Sequence, residues 1–248
     1  MSEMRNLHFF VSDVHLGLKR FDPREREEKF LSFLETLPGN TSSLYLLGDI
    51  FDFWFEYRFV VPRGFTRILA ALSNLGKKGV DVIFFKGNHD MWTFGYLEEE
   101  TGLKIMKELS VLAIGGKKFC LAHGDTLTSA EPLHNLSQKL FRSKFLQKML
   151  SAIHPSVTFS FAHRWSENNR VSRGEPIPFR GKEDPLYGFS CDFEKRERMD
   201  YFIFGHMHTP GSVITPQGAR MYILGDWLRG CEYLCFDEIS GEISWKKG

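Results

Sequence analysis

The chain has 248 residues, of which 42% are hydrophobic and 15% aromatic, so it suits one large domain or one domain that carries an insertion. Its 32 Lys and Arg residues balance 31 Asp and Glu residues, which argues against nucleic-acid binding over the whole surface. The first ten residues, MSEMRNLHFF, hold no apolar run long enough for a signal peptide, and no later segment reaches about 18 uninterrupted apolar residues. We therefore expect a cytoplasmic protein. Cysteine spacing predicts free thiols at Cys120, Cys191, Cys231 and Cys235.

Apolar runs that alternate with amphipathic stretches predict an α/β fold. In chain order the predicted strands are LHFFVS (7–12), SLYLLGD (43–49), VDVIFFKGNHD (80–90), KKFCLAHGD (117–125), DYFIFGHMH (200–208), ARMYILGDW (219–227) and EYLCFDEI (232–239). Helices are predicted at 22–37, with Asp22 as N-cap and Pro23 in the first turn, and at 64–79, where glycine is the stop signal. We interpret 1–248 as a single domain.

Polar side chains follow five of these strands, usually beside a glycine. They are Asp13, His15, Asp49, Asn88, His123, His206 and His208. In open α/β sheets, ligands bind outside the carboxyl ends of the strands, so we expect these side chains to share one edge. Imidazole, carboxylate and amide ligands suit Mn²⁺, Fe or Zn²⁺. Seven ligands are too many for one tetrahedral ion, so the set predicts two divalent ions that share a carboxylate.

Each of these motifs also has a structural explanation when it is taken alone. Gly48-Asp49 is typical of a turn, and an Asp-x-His at a strand end is often a turn acid beside a surface histidine. All the motifs together, each after a hydrophobic strand, are not explained by turns, and their convergence indicates a metal site.

The order Asp-x-His, Gly-Asp, Gly-Asn-His-Asp, His-Gly-Asp and Gly-His-x-His resembles that of the calcineurin-like metallophosphoesterases, from about Phe9 to Trp227. The resemblance implies a four-layer α/β/β/α sandwich of two sheets flanked by helices. It also implies a distribution of metal ligands, with one ion held by Asp13, His15 and His208, a second held by Asn88, His123 and His206, and Asp49 bridging them.

The same resemblance implies two catalytic residues that are not ligands. His89 would lie over the substrate phosphate, as charge stabiliser or as general acid for the leaving group. Asp90 would orient the ring of His89.

Four further segments, SDVHLG, LGDIFDFW, HGDTLT and LGDW, resemble the UDP-2,3-diacylglucosamine diphosphatases of lipid A synthesis. Those enzymes hydrolyse the pyrophosphate of a UDP-linked diacyl sugar to UMP and a diacylglucosamine 1-phosphate, so the resemblance implies this substrate and two Mn²⁺ ions. The sequence departs from that pattern in two places: His89 stands where arginine is common, and Ala130-Glu131 stands where paired aspartates are common. A general phosphodiesterase or nuclease of the same fold, or a non-catalytic scaffold, is the alternative.

The segment 132–166 contains no Asp or Glu and carries Lys139, Arg142, Lys144, Lys148 and Arg164. Apolar residues at helical spacing predict a first helix that ends before Pro155, through Leu133, Leu136, Leu140, Phe141, Phe145, Leu146, Met149 and Ile153. A second helix follows with Phe159, Phe161 and Trp165. We interpret about 131–175 as an inserted helical hairpin.

A basic and apolar hairpin suits contact with an anionic lipid surface, here the cytoplasmic face of the inner membrane. The alternative is that its apolar face packs on the sandwich and its basic face is solvated. The expected partners are a lipid-linked sugar nucleotide and the membrane surface, with no nucleic acid. Candidate substrate contacts are Asn88, Glu131, Asn169, Arg170, Arg173 and His206.

Overall fold

Two β-sheets packed face to face form the centre of the molecule in a computed structural model, which describes residues 4–127, 140–173 and 178–248. The strands are β1 Leu7–Val11, β2 Thr41–Leu47, β3 Asp81–Phe85, β4 Lys104–Ile105, β5 Leu109–Ile114, β6 Lys117–Ala122, β7 Tyr201–Phe204, β8 Gly211–Ile214, β9 Arg220–Ile223, β10 Glu232–Asp237 and β11 Glu242–Lys247. The helices are α1 Pro23–Thr36, α2 Thr66–Lys77, α3 Tyr96–Thr101, α4 Lys144–Ser151, α5 Pro155–Arg173 and α6 Pro185–Glu194, with a 3₁₀ turn at Gly181–Glu183. Side chains of 163 and 167–173 lie outside the described part.

The first sheet has the order β11-β10-β1-β2-β3-β4, and the second has the order β5-β6-β7-β9-β8. Strands β1, β2 and β3 run parallel, as do β6, β7 and β9 in the other sheet. Each of these groups therefore delivers the residues that follow its strands to one edge of its sheet.

Strand β1 is buried on both faces, which explains why its sequence is continuously apolar. Successive side chains of a strand point to opposite faces, so Phe9 packs towards α1 and Phe10 packs between the sheets. Phe10 stacks on Tyr45 of its own sheet at 4.9 Å between ring centroids and on Phe119 of the second sheet at 5.6 Å. This aromatic layer holds the two sheets together.

Helices cover the outer face of each sheet. Helices α1 and α2 pack on the first sheet, and α6 packs on the second. Helix α1 begins as predicted, because the Asp22 carboxylate accepts hydrogen bonds at 3.1 Å from the backbone N–H groups of Arg24 and Glu25. The four-layer α/β/β/α sandwich is confirmed.

Strands β4, β5, β8 and β11 and helices α3 and α6 are absent from the sequence prediction. Strand β4 has only two residues, and β8 and β11 are largely solvent-exposed edge strands without a clear apolar alternation. Helix α6 contains a glycine and three aromatic residues, which weakens its pattern. It is stabilised locally, because Asp184 caps the N–H of Leu186 at 3.0 Å and Pro185 occupies the first turn.

Residues 140–173, which include helices α4 and α5, are here called the cap. They lie between β6 and β7 in the chain. The single helix predicted up to Pro155 is wrong in the described part, because Ser143 interrupts it and caps α4 by accepting a hydrogen bond from the Leu146 N–H at 3.2 Å. The cap is anchored to the sandwich by a hydrogen bond from Trp92 Nε1 to the Phe141 carbonyl at 2.9 Å. Arg142 also forms an ion pair with Asp125 at 2.8 Å.

No helix among the described residues has both the length and the apolar character that a membrane span requires.

Candidate metal centre

The seven predicted ligands meet where the carboxyl edges of the two sheets adjoin. Asp13 and His15 follow β1, and the segments after β2, β3, β6 and β7 supply the others. The backbone N–H of Asp13 donates to the Gly48 carbonyl at 3.1 Å, and the N–H of His206 donates to Asp13 Oδ2 at 2.9 Å. The first bond joins two loops of the first sheet, and the second ties the loops of the two sheets to one another.

The first group contains Asp13, His15 and His208, with one ligand atom from each lying within 4.8 Å of the others. Asp13 Oδ1 is 3.7 Å from His15 Nε2 and 3.6 Å from His208 Nε2. The two imidazole rings stack at 5.0 Å between centroids. Asp13 and His15 are completely buried.

The second group contains Asp49, His123 and His206, again within 4.8 Å. Asp49 Oδ2 lies 3.4 Å from His123 Nε2 and 3.8 Å from His15 Nε2 of the first group, so this carboxylate stands between the two groups. Asn88 Oδ1 is 3.3 Å from His123 Nε2. The structure thus brings all seven predicted side chains close together, and their division between two ions stays a prediction.

The residues fit a pair of divalent cations. Asp13 Oδ1 is buried and has no hydrogen-bond partner among the residues that the structure describes. A buried carboxylate oxygen without a partner is costly, and the nitrogen atoms that face it at 3.6–3.7 Å are too distant for hydrogen bonds. A cation bound between these atoms would satisfy them together.

Neighbouring groups fix the orientation of the candidate ligands. His123 Nδ1 donates to the Leu47 carbonyl at 2.8 Å, which leaves Nε2 directed at Asp49. His208 Nδ1 lies 3.1 Å from the carboxylate of Asp226. In the first group, His15 Nδ1 is also 3.6 Å from Asp52 Oδ1. Sequence reasoning missed Asp52 and Asp226, although both stand in the segments LGDIFDFW and LGDW.

Two carboxylates and one imidazole of the centre are held in the forms that bind a cation. Burial alone would raise the pKa of Asp49, but His123 and His89 hold it well below its usual range. Burial also opposes ionisation of Asp13, and His208 and His15 hold its pKa below the usual range. Burial lowers the pKa of His206 to about 4. Anionic carboxylates and a neutral imidazole are the forms that bind a cation at neutral pH. His123 is different, because burial opposes its protonation but Asp49 raises its pKa well above the usual range, so this ring must lose a proton when a cation binds.

The expectation that Asp90 orients the His89 ring is wrong. The Asp90 carboxylate turns away and accepts hydrogen bonds from backbone N–H groups, at 2.8 Å from Gly87 and 2.8 Å from Ile50. It therefore stabilises the loops that carry Asn88 and Asp49. His89 Nδ1 donates instead to the Asp52 carbonyl at 2.8 Å.

Five of the seven predicted ligands have a left-handed backbone. Their φ angles lie between 50° and 69°, at Asp13, His15, Asp49, His206 and His208. Non-glycine residues rarely adopt this region, and clustered strain of this kind is typical of functional sites. The ligand residues themselves therefore make sharp turns at this edge, as do the neighbouring Gly48 and Gly124.

The absence of a side chain at Gly87 allows the Asp49 loop to pack closely against it. A Cβ at this position would lie 2.1 Å from Asp49 Oδ1, so Gly87→Ala must displace that carboxylate. We expect a loss of metal and a destabilisation of about 1–3 kcal/mol, measured by metal analysis and thermal unfolding. Gly188→Ala is the matched control, because a Cβ there meets nothing within 4 Å. Full metal content and unchanged stability in Gly87→Ala would contradict the assignment of Asp49.

The remaining predicted substrate contacts fall outside the described part. Glu131 lies outside the described residues. The backbone of Asn169, Arg170 and Arg173 belongs to α5, but their side chains are not described.

Three adjoining Asp/His groups at the meeting edges of stacked sheets could each hold a metal ion, the third being His15, Asp52 and His89. Such an arrangement is typical of a metal-dependent hydrolase. A family model described as "Calcineurin-like phosphoesterase" matches residues 9–210. The chain belongs to this family, which confirms the resemblance inferred from its motifs.

Relatives that carry the name UDP-2,3-diacylglucosamine hydrolase match almost the whole chain. One from Porphyromonas gingivalis is 36% identical over 250 residues, covering 94% of this chain and 95% of the relative. One from Hamiltonella defensa is 29% identical, covering 88% and 87%, and one from Haemophilus influenzae is 25% identical, covering 96% and 98%. The similarity is therefore not confined to the metal-site motifs.

Proposed function

We propose that the protein hydrolyses the pyrophosphate of UDP-2,3-diacylglucosamine in lipid A synthesis, yielding UMP and 2,3-diacylglucosamine 1-phosphate. The observation that carries this proposal is the 36% identity, over 94% of the chain, to a relative named UDP-2,3-diacylglucosamine hydrolase. The complete set of Asp, Asn and His side chains at the centre supports a hydrolytic rather than a scaffolding role.

Two divalent ions bound at this centre would polarise the scissile phosphoryl group and lower the pKa of a water molecule. Asp13, His15 and His208 would hold one ion, and His123, His206 and Asn88 the other, with Asp49 shared. Mn²⁺ is the proposed metal, with Fe or Zn²⁺ compatible with the same ligands.

Two observations support a role for His89 at the substrate. Its Nδ1 hydrogen is committed to the Asp52 carbonyl, and its side chain is 24% exposed at the edge of the centre. When the ring is protonated, Nε2 also carries a hydrogen and can donate it to a phosphoryl oxygen. Asp90 takes no direct part and maintains the loop geometry.

The cap has two apolar faces. One packs on Phe53, Phe55, Met91 and Trp92 of the sandwich through Phe141, Leu150, Phe159 and Ala162. The other is open to solvent, with side chains 41% to 73% exposed at Leu140, Phe145, Met149, Ile153, Val157, Phe161 and Trp165. Packing on the sandwich therefore accounts for only part of the apolar pattern.

The open face supports a lipid substrate and contact with a membrane surface. Exposed apolar residues in such number mark interaction sites, and Lys144, Lys148 and Arg164 add positive charge to the same helices. This combination fits an anionic bilayer, and the proposed location is the cytoplasmic face of the inner membrane.

We expect UDP-2,3-diacylglucosamine to be cleaved with a kcat/KM at least about 100-fold above that of UDP-N-acetylglucosamine, since each buried methylene contributes up to about 0.8 kcal/mol. Phe145→Asp and Phe161→Asp should reduce this preference and weaken binding to anionic liposomes. Ile239→Asp is the control, because Ile239 is 71% exposed but lies outside the cap.

Equal rates on the two UDP-sugars, with cleavage of single-stranded DNA at a similar rate, would instead favour the general phosphodiesterase or nuclease. Phe141 is unsuitable for this test, because it packs against Trp92 and Trp165 and its loss would disturb the cap itself.

A further inference from the structure

We propose that Ser166, a cap residue, is a positioning residue for the catalytic centre and acts through Asp52 on His15 and His89. The inference deepens the proposed function and rests on phosphoester hydrolysis at this centre, but not on the lipid substrate. It assigns the cap a role that does not depend on acyl chains.

The contact is buried and joins distant parts of the chain. Ser166 Oγ on α5 donates to Asp52 Oδ1 at 3.0 Å. Ser166 is 5% exposed and Asp52 is 1% exposed. A hydrogen bond to a buried carboxylate is stronger than one at the surface, so it can fix the position of the acceptor.

Asp52 lies beside both a candidate metal ligand, His15, and the candidate catalytic residue His89. The same oxygen, Oδ1, lies 3.6 Å from His15 Nδ1, on the opposite edge of the ring from the nitrogen that faces Asp13 and Asp49. Its backbone carbonyl accepts the hydrogen bond from His89 Nδ1 at 2.8 Å. The rings of His15 and His89 meet edge to face at 5.0 Å between centroids.

A displacement of Asp52 would therefore change the positions of both His15, a candidate metal ligand, and His89, the candidate phosphate-binding histidine. The group at the far nitrogen of a ligating imidazole sets its tautomer and ring orientation, and changes there typically weaken metal affinity about 10–100-fold. Because Ser166 belongs to the cap, the position of Asp52 depends on the packing of the cap on the sandwich.

The test uses the full-length protein and Ser166→Ala, with Ser166→Thr as the variant that keeps the hydroxyl. Ser160→Ala is the matched control, because Ser160 is exposed on the same helix. Two substrates are compared, UDP-2,3-diacylglucosamine and bis(p-nitrophenyl) phosphate, which has no acyl chain. The apparent Mn²⁺ affinity is measured separately by competition with a chelator.

Ser166→Ala should lower kcat on bis(p-nitrophenyl) phosphate about 10-fold with KM nearly unchanged, and should weaken Mn²⁺ binding about 10-fold. Ser166→Thr should recover most of both, and Ser160→Ala should match the unmodified protein. The inference is overturned if Ser166→Ala matches Ser160→Ala in kcat and in Mn²⁺ affinity, or if Ser166→Thr is as impaired as Ser166→Ala.

The two proposals fail separately. If the unmodified protein does not cleave UDP-2,3-diacylglucosamine, the proposed substrate is wrong, and the comparison on bis(p-nitrophenyl) phosphate still decides the role of Ser166. If the lipid substrate is cleaved and Ser166→Ala is unaffected on both substrates, only the inference about Ser166 is lost.

Discussion

Asp49→Ala is expected to fold and to lose phosphoesterase activity by on the order of 10³-fold or more, because two-ion hydrolysis depends on a shared carboxylate. Asp49 Oδ2 lies 3.4 Å from His123 Nε2 and 3.8 Å from His15 Nε2, so its removal affects both groups of ligands. Oδ1 accepts the backbone N–H of His89 at 2.9 Å, so the His89 loop also loses a contact.

Metal analysis is the direct measurement for this prediction. The purified protein should bind up to two equivalents of divalent metal, and Asp49→Ala should bind one or none. A chelator should abolish the activity of the unmodified protein, and added Mn²⁺ should restore it. Asp192→Ala is a suitable control, since Asp192 is exposed on α6 and forms an ion pair with Lys195 in the same part of the chain. A folded Asp49→Ala protein with full activity would rule out the dinuclear centre.

The grouping of the candidate ligands is the feature of this protein that its sequence predicts best. Each candidate ligand directly follows a run of apolar residues, and parallel strands bring such positions to one edge. Local pattern and simple topology are therefore sufficient to bring Asp13 to His208 and Asp49 to His123, although the partners lie far apart in the chain.

The contacts that support the ligands could not be predicted in the same way. Asp52 reaches Ser166 across 114 residues, and no periodic pattern connects the two. The position of Asp90 next to His89 in the sequence predicts a contact between the two side chains. The Asp90 carboxylate instead accepts hydrogen bonds from the backbone N–H groups of Gly87 and Ile50.

The edge strands and the packing of the cap are also not predicted by local sequence patterns. Residues of β11 are mostly exposed, and the strand forms because β10 offers it a partner, not because of its own composition. In the cap, helical spacing identified apolar residues but not the face on which each one lies. Phe141 packs on Trp92, whereas Phe145, four residues later and beyond the break at Ser143, is 73% exposed.

His89→Ala should reduce turnover by about 10²–10⁴-fold and leave the metal content unchanged. His89 is not part of the two groups assigned to the ions, and its Nδ1 is held by the Asp52 carbonyl at 2.8 Å. We therefore expect its loss to remove a contact to the substrate and not a ligand, and the metal content tests this, because His89 also forms a third Asp/His group with His15 and Asp52. His154→Ala, at an exposed position, is the control. Loss of a metal equivalent in His89→Ala would make His89 a ligand and contradict this assignment.

A second substitution separates the two roles that His89 could have. The leaving group of the proposed reaction is a phosphate monoester with a second pKa of about 6, so it can depart without a proton. Charge stabilisation is then the expected role. An arginine retains positive charge but cannot act as a general acid near neutral pH. His89→Arg should accordingly recover most of the turnover that His89→Ala loses, whereas a general acid would predict equal losses in the two variants.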